Sequence, residues 1–272
     1  MSKDKLTEIH DSPVVIITGA SRGLGAAVAG WLVKSGAGVT LVARSESDLE
    51  RVAEDLSRAG GDPLVCQADI SDYDACCRVT EKTMAHFGRI DALVNNAGIV
   101  QPIAPIADCD PAQWRCNLEV NLFGPFNLVR AAIPQLRVRR GRVINVSSGA
   151  ANLALETLSA YCTSKASLNH FTRVLAAEEP GLTAVSVRPG VVDTPMQTYL
   201  RREGPKAMPA EQAAYYRQIK EQGQLEPPEI PARSIAWLAL HAPRQFSGRF
   251  LDYDDTHISS RALEVFGNNL RD

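Results

Sequence analysis

The sequence predicts an α/β fold: a doubly wound parallel sheet of about seven strands with helices on both faces. Two observations carry that expectation. Short apolar runs of strand length recur along the chain, and single amphipathic stretches of helical length separate them. Strands linked by single helices form parallel β-α-β units, whose sheet is buried on both faces and so reads as near-continuous apolar runs. No stretch rich in proline, glycine and serine divides the chain, so residues 13–272 are expected to form a single domain after a flexible lead-in at 1–12.

The elements follow in order. Residues 14–17 (Val-Val-Ile-Ile) are an apolar, β-branched run, followed by a glycine-rich turn and a helical pattern at 24–35. A second strand is expected at 39–42, a charged helix at 46–59, a third strand at 63–66 and a helix at 72–87. The fourth strand falls at 92–94. A long helical region covers 111–138, with Gly141 ending it before a fifth strand at 142–146. A helix at 158–179 and a sixth strand at 183–187 come next, and 248–252 reads as a seventh strand. Segment 194–231 is rich in Arg, Glu, Gln and Pro without a strand pattern, so it reads as an insertion over one end of the sheet.

Composition narrows the function classes. Hydrophobic residues make up 45% and charged residues 22%, an ordinary globular balance. The formal net charge of −2 gives no electrostatic footprint for nucleic acid or an anionic membrane. No apolar run approaches the roughly 18 residues a membrane-spanning helix needs, and the polar start lacks the apolar stretch of a signal peptide. The cysteines at 66, 76, 77, 109, 116 and 162 form no C-x-x-C pair, and the histidines show no i, i+4 pair. The expectation is a cytoplasmic protein with free thiols and no metal site.

The turn after the first strand places glycines at 19, 23 and 25. Glycine permits a tight turn and lets a pyrophosphate approach the backbone, while the next helix offers free N–H groups and the positive end of its dipole. Tyr161 and Lys165 lie four apart on a predicted helix, on one face. A free tyrosine is a poor base at neutral pH, and a nearby ammonium should favour the phenolate and draw its pKa toward the working pH. Ser147 and Ser148 end the fifth strand, and only one of two consecutive strand residues can face the tyrosine.

Gly19-x-x-x-Gly23-x-Gly25, Asn95-Asn-Ala-Gly98 and Tyr161-x-x-x-Lys165, in this order and over about 13–253, resemble the short-chain dehydrogenase/reductase family, single-domain branch. The resemblance implies a Rossmann fold and an oxidoreductase that moves a hydride between a nicotinamide and a carbonyl or secondary alcohol. The family's usual separation of 13 residues from the tyrosine selects Ser148 over Ser147 to steady the substrate oxygen, with Ser147 structural. Asn121 resembles the family's fourth catalytic residue, which holds a water linking Lys165 to solvent. For reduction, Tyr161 delivers a proton that is replenished through Lys165 and water.

The resemblance also assigns the cofactor site. The turn contributes Gly19, Ser21, Arg22, Gly23, Leu24 and Gly25, and Asp69 with Ile70 take the adenine. Asn95, Ala97 and Gly98 bound the adenosine ribose, in a largely structural role. Tyr161 and Lys165 reach the nicotinamide ribose, and Pro189, Gly190, Val192 and Thr194 hold the carboxamide. An acid at the end of the second strand would bind the ribose hydroxyls of NAD; Ala43 stands there instead, followed by Arg44 and Ser45. Two guanidinium groups, Arg22 and Arg44, suit the 2′-phosphate of NADP(H), with Glu46 near enough to affect the balance.

Ala150, Ala151, Asn152, Leu153 and Leu155, together with Met196, Tyr199, Leu200, Tyr215 and Tyr216, are the candidates for substrate contact. Arg201, Arg202 and Lys206 read as solvated faces of a mobile lid. Loose likeness to sepiapterin-reductase-like and benzil-reductase-like members points to an aromatic or vicinal diketone. Family resemblance and the apolar residues of the 158–179 helix (Ala160, Ala166, Leu168, Phe171, Val174, Leu175) lead to a homodimer or homotetramer, with the helices at 111–138 and 158–179 forming the contact between subunits. Two other readings were weighed. A non-catalytic NADP-binding sensor has no need of the four residues Asn121, Ser148, Tyr161 and Lys165. An epimerase or dehydratase needs a larger C-terminal substrate domain than the chain after Pro189 provides.

Overall fold

The computed structural model describes residues 12–270, so most of the expected lead-in at 1–12 lies outside the described residues. Seven strands form one parallel sheet in the order β3-β2-β1-β4-β5-β6-β7. They are β1 (Val14–Thr18), β2 (Gly38–Ala43), β3 (Pro63–Gln67), β4 (Ala92–Asn95), β5 (Arg142–Val146), β6 (Thr183–Arg188) and β7 (Phe250–Asp252). The order reverses between β1 and β4, which opens a crevice at the carboxyl ends of those strands, where open α/β sheets bind ligands.

The strands read as apolar runs because both faces are covered. Val15, Ile17, Val39, Leu41, Ala92, Val94, Ile144, Val146, Val185 and Val187 point to one layer, made with α1 (Gly23–Lys34), α2 (Glu46–Arg58), α9 (Glu229–His241) and α10 (Thr256–Phe266). Their neighbours Ile16, Val42, Leu93, Val143 and Ala184 point to the other, against α3 (Tyr73–Phe87), α5 (Gly124–Arg139) and α6 (Ser159–Glu178). Trp31 of α1 joins helices in the first layer: its indole N–H donates to Glu229 O at 2.8 Å and its ring tilts on Phe266.

Three local expectations change. The long helix is α4 (Pro111–Leu118) and α5 separated by a π-helical turn, Glu119–Phe123. It is capped by Arg140 in the left-handed conformation (φ 49°) and not by Gly141. Gly141 is needed for another reason: a Cβ there would lie 2.6 Å from Asp91 O, where β4 and β5 begin. The 194–231 insertion is helical, as α7 (Pro195–Glu203) and α8 (Ala210–Glu221), and ends by Pro228, because Glu229 already begins α9.

Candidate active site

The ends of β1, β4, β5 and β6, roofed by α7 and α8, enclose a cleft of about 1620 Å³. At its floor the glycine turn is set by backbone geometry. Gly19 has φ +65°, and a Cβ on Gly25 would sit 2.3 Å from Gly19 O, so α1 packs against its own approach loop only because residue 25 has no side chain. Thr18 Oγ1 accepts from the N–H groups of Asn96 and Ala97, each at 3.0 Å. Asn96 Nδ2 returns bonds to Thr18 O (2.9 Å) and Gly19 O (3.3 Å). The first turn of α1 has no side-chain cap and no acidic residue, which leaves its N–H groups to an anionic ligand. A phosphate-bearing cofactor fits this bare turn.

Asn95 does not reach the cleft. It is buried in β4, and its Nδ2 donates to Asn145 Oδ1 at 2.8 Å across to β5. That chain continues from Asn145 Nδ2 to Thr172 Oγ1 of α6. The cleft residue is Asn96, and the signal was available: successive residues at a strand end face opposite ways, the argument already applied to the serines. Gly25 likewise stands behind the wall and shapes it, while Gly19, Ser21, Arg22, Gly23, Leu24, Ala97 and Gly98 line it.

At the end of β2, Ala43, Arg44 and Ser45 face the cleft with Arg22, and both arginine side chains are exposed. The carboxylate that shares this space is Asp48, two residues further into α2, and not Glu46. A hydrogen bond from Ser45, then one from Arg51, and the charges of Arg51 and Arg22 hold Asp48 below the usual carboxylate range. Asp69 and Ile70 line the neighbouring wall; Asp69 Oδ1 accepts from Ser71 N (3.0 Å) and Ser71 Oγ (2.7 Å). Asp72 caps α3 by accepting from Asp74 N. Asn127 Nδ2 of α5 holds this loop through Ile70 O and Ser71 O.

The centre of the cleft brings Ser148, Tyr161 and Lys165 together. Lys165 is buried, and its Nζ donates to Val146 O at 2.8 Å. Burial pulls its pKa down to about 8. Burial pushes the Tyr161 phenol up, only partly offset by its hydrogen bond with Ser148. The phenol therefore shifts away from neutrality, against the sequence expectation, because desolvation outweighs any help from an ammonium whose nearest fixed partner is a carbonyl. Ser147 also touches the cleft, but its buried Oγ has no partner and Tyr161 takes its hydrogen bond from Ser148.

Asn121 sits in the π-helical turn and is fully buried. Its Oδ1 accepts from Ile99 N (2.8 Å), and its Nδ2 points at Ile99 O, Asn117 Oδ1 and Ser164 Oγ. Both polar groups of the Asn121 side chain are thus engaged by protein. Asn117, which the sequence reading passed over, completes the brace by donating to Ile99 O and Gln101 O. A Cβ on Gly98 would lie 3.1 Å from Asn121 Oδ1 and 3.6 Å from Lys165 Nζ, so all three meet at one point.

Pro189, Gly190, Val192 and Thr194 form the far wall. The base of the lid is pinned there: Val192 pairs with Glu226, Asp193 N donates to Glu226 O and Glu226 N to Val191 O, both at 2.9 Å. Lys220 adds an ion pair to Asp193, and Tyr253, packed on Gly190, hydrogen-bonds Glu226. Of the substrate-contact candidates, Ala150, Leu153, Leu155, Met196, Tyr199, Leu200, Tyr215 and Tyr216 line the cleft; Ala151 and Asn152 do not. The lid cations are engaged: Arg202 and Lys206 pair with Glu203, and Arg201 donates to Thr198 Oγ1 while its Nη1 is buried. Among the described residues no cluster of His, Cys, Asp or Glu could hold a metal ion, and no helix is long and apolar enough to cross a membrane.

With this geometry in hand, comparison with known proteins identifies the class. Residues 13–204 match the model of the short chain dehydrogenase family, and the chain belongs to that family. It is an oxidoreductase. A benzil reductase ((S)-benzoin forming) of Saccharomyces cerevisiae is 33% identical over 258 residues, covering 90% of this chain and 97% of that protein. The crystal structure of another short chain dehydrogenase/reductase of Saccharomyces cerevisiae superposes with a TM-score of 0.87 at 35% identity, covering 92% of this chain and 99% of the other. A 3-ketoacyl-(acyl-carrier-protein) reductase of Brucella melitensis, solved with NADH, gives a TM-score of 0.76 at 29% identity, covering 88% and 96%.

Proposed function

We propose that the chain is an NADPH-dependent reductase of neutral, apolar carbonyl compounds. The observation that carries this reading is the meeting of Ser148, Tyr161 and Lys165 in a cleft whose one end is an uncapped glycine turn and whose other end is an apolar lid. A bound nicotinamide would supply the hydride. Tyr161 donates its proton to the substrate oxygen, Ser148 donates a hydrogen bond to the same oxygen as charge gathers there, and Lys165 keeps a positive charge beside them. Asn121 and Asn117 are positioning residues, holding the 99–101 loop and the floor beside Lys165. Because the Tyr161 phenol is pushed up, it stays protonated at neutral pH, the form that can give a proton to the substrate oxygen in the reductive direction.

Arg22, Arg44 and Ser45 support NADPH over NADH, with Asp48 moderating that preference. The apolar lid and the pairing of Arg202 with Glu203 and of Arg188 with Asp252 favour a neutral substrate over an anion. Aromatic and vicinal diketones are the first candidates, a class shared with the benzil reductase relative. The test is NADPH consumption with a panel of monoketones, diketones and steroids; no turnover with any of them would reject the reading.

A homodimer or homotetramer is also proposed. Ala160, Leu168 and Leu175 of the expected contact face are buried within the chain, which leaves Ala166, Phe171 and Val174 of that helix at the surface, with Phe126 against Phe171 and Phe123 also exposed. Light scattering at micromolar concentration tests it, and a monomeric mass would reject it.

A further inference from the structure

Tyr216 belongs to α8, and its ring is fixed in the lid cluster with Leu158, Leu200 and Met208, edge-on to Tyr215. The residue is only 8% exposed, yet it lines the cleft. Its hydroxyl makes no hydrogen bond with the described residues. Several polar groups of the same cleft wall are committed to protein, whereas Ser147 Oγ and Gln197 Oε1 are buried without a partner. Gln212 Nε2 donates to Glu156 O, Arg202 to Glu203, Arg188 to Asp252, and Tyr253 to Glu226. Unlike Ser147 Oγ, the Tyr216 oxygen is not shut off from the cleft, so the hydroxyl is free to donate to a ligand acceptor there. Burial, and then the nearby charge of Tyr161, push the Tyr216 hydroxyl up to about 12, so it remains neutral and able to donate. Tyr161 packs against the same cluster, which places the two rings in one part of the cleft.

We propose that Tyr216 is a specificity-determining residue that donates a hydrogen bond to a second oxygen of the substrate, so that the site selects neutral carbonyl compounds carrying another acceptor besides the reacting carbonyl. The inference rests on the reductase reading and sharpens its substrate class. Tyr161 and Ser148 grip the oxygen that is reduced. Tyr216 grips the other and thereby sets which carbonyl meets Tyr161.

The test compares Tyr216→Phe with the unmodified enzyme on 1,2- and 1,3-diketones and on monoketones in which the second carbonyl is replaced by methylene. Because diketones are intrinsically more reactive, the quantity to read is the variant-to-wild-type ratio for each substrate, as in a double-mutant cycle. The expected result is a loss of about tenfold in kcat/KM on a diketone, mostly in KM, for one hydrogen bond removed. Monoketone kinetics of the variant should stay within about twofold, since those substrates carry no second acceptor for the hydroxyl to meet. NADPH affinity and Tm should be unchanged, which separates a binding role from a folding defect. Equal losses on diketones and monoketones, or no loss on either, would overturn the role of Tyr216 while leaving the reductase reading intact. An unmodified enzyme that reduces none of these ketones would overturn both.

Discussion

The two walls of the cleft are built on different principles. The cofactor-side wall is backbone: Thr18, Asn96 and the bare Gly19–Gly25 approach hold it by hydrogen bonds and by missing side chains. The lid wall is side chains: Leu200, Met208, Ala213, Tyr216 and Ile219 pack with Val100 and Leu158, with polar ties at the base through Glu226 and Lys220 and from Gln212 to Glu156 O. Backbone construction tolerates almost no change in residue type, whereas apolar packing accepts many residues of similar volume. The first wall can therefore be conserved in chemistry while the second varies with the substrate.

Substitutions that respect or violate this contrast should rank accordingly. Tyr161→Phe, at the meeting of the walls, should lower kcat by about 10²–10⁴-fold with NADPH affinity retained, because general acid catalysis has that range. Retention of a tenth of the activity would remove Tyr161 from its role. Next, Gly25→Ala should weaken NADPH binding by roughly fivefold to a hundredfold, since the new Cβ meets Gly19 O and overpacking costs about 1–3 kcal/mol. Unaltered binding, measured by fluorescence titration, would mean that the cofactor wall yields as easily as the lid.

The pH profile probes the shared floor. Lys165 has its pKa lowered to about 8, so its ammonium is present below that pH and is lost as pH rises through it. Reduction at saturating NADPH should be flat on the acid side and fall by about tenfold per pH unit beyond it. A rate that stays flat well past that value would show that the charge is not needed. Arg44→Ala should then reduce the preference for NADPH over NADH by about tenfold, the loss of one charge-assisted bond in water. Asp48→Asn should raise the preference a few-fold, as a like charge is removed from beside the phosphate. The smallest effect belongs to the lid: Lys220→Met breaks an exposed ion pair with Asp193 and should cost less than about 1 kcal/mol by denaturant titration. A larger loss would mean that the base of the lid is as unforgiving as the glycine turn.

What the chain declared in advance follows from short-range rules. Strand runs, the glycine turn at 19–25 and the four-residue spacing of Tyr161 and Lys165 depend on periodicity and backbone sterics, which act between near neighbours. Alternation left one of Ser147 and Ser148, and the family resemblance chose Ser148. The bounds of the elements up to β6 follow the same rules, apart from the π-helical turn at 119–123 and the cap at Arg140, whereas the helices α7 to α10 were not marked out in the sequence. The exchange of Asn95 for Asn96 was decidable from strand alternation, and the misplaced carboxylate at Glu46 from helical spacing, since Asp48, two residues on, lies on the opposite side of the helix.

Other features were set only by the tertiary structure, because each is a sum over groups far apart in sequence. Whether Tyr161 is drawn down by an ammonium or pushed up by burial depends on how much of the chain surrounds it, and burial wins. Asn117 and Asn121 become a brace only when the π-helical turn meets the 99–101 loop. Ala160, Leu168 and Leu175 looked available to a partner subunit until the sheet occupied that face of α6. The role given to Tyr216 is of the same kind. The sequence marked Tyr216 only as one of several candidates for substrate contact, and its unpartnered hydroxyl on the cleft exists only because the lid folds back over the ends of β4, β5 and β6.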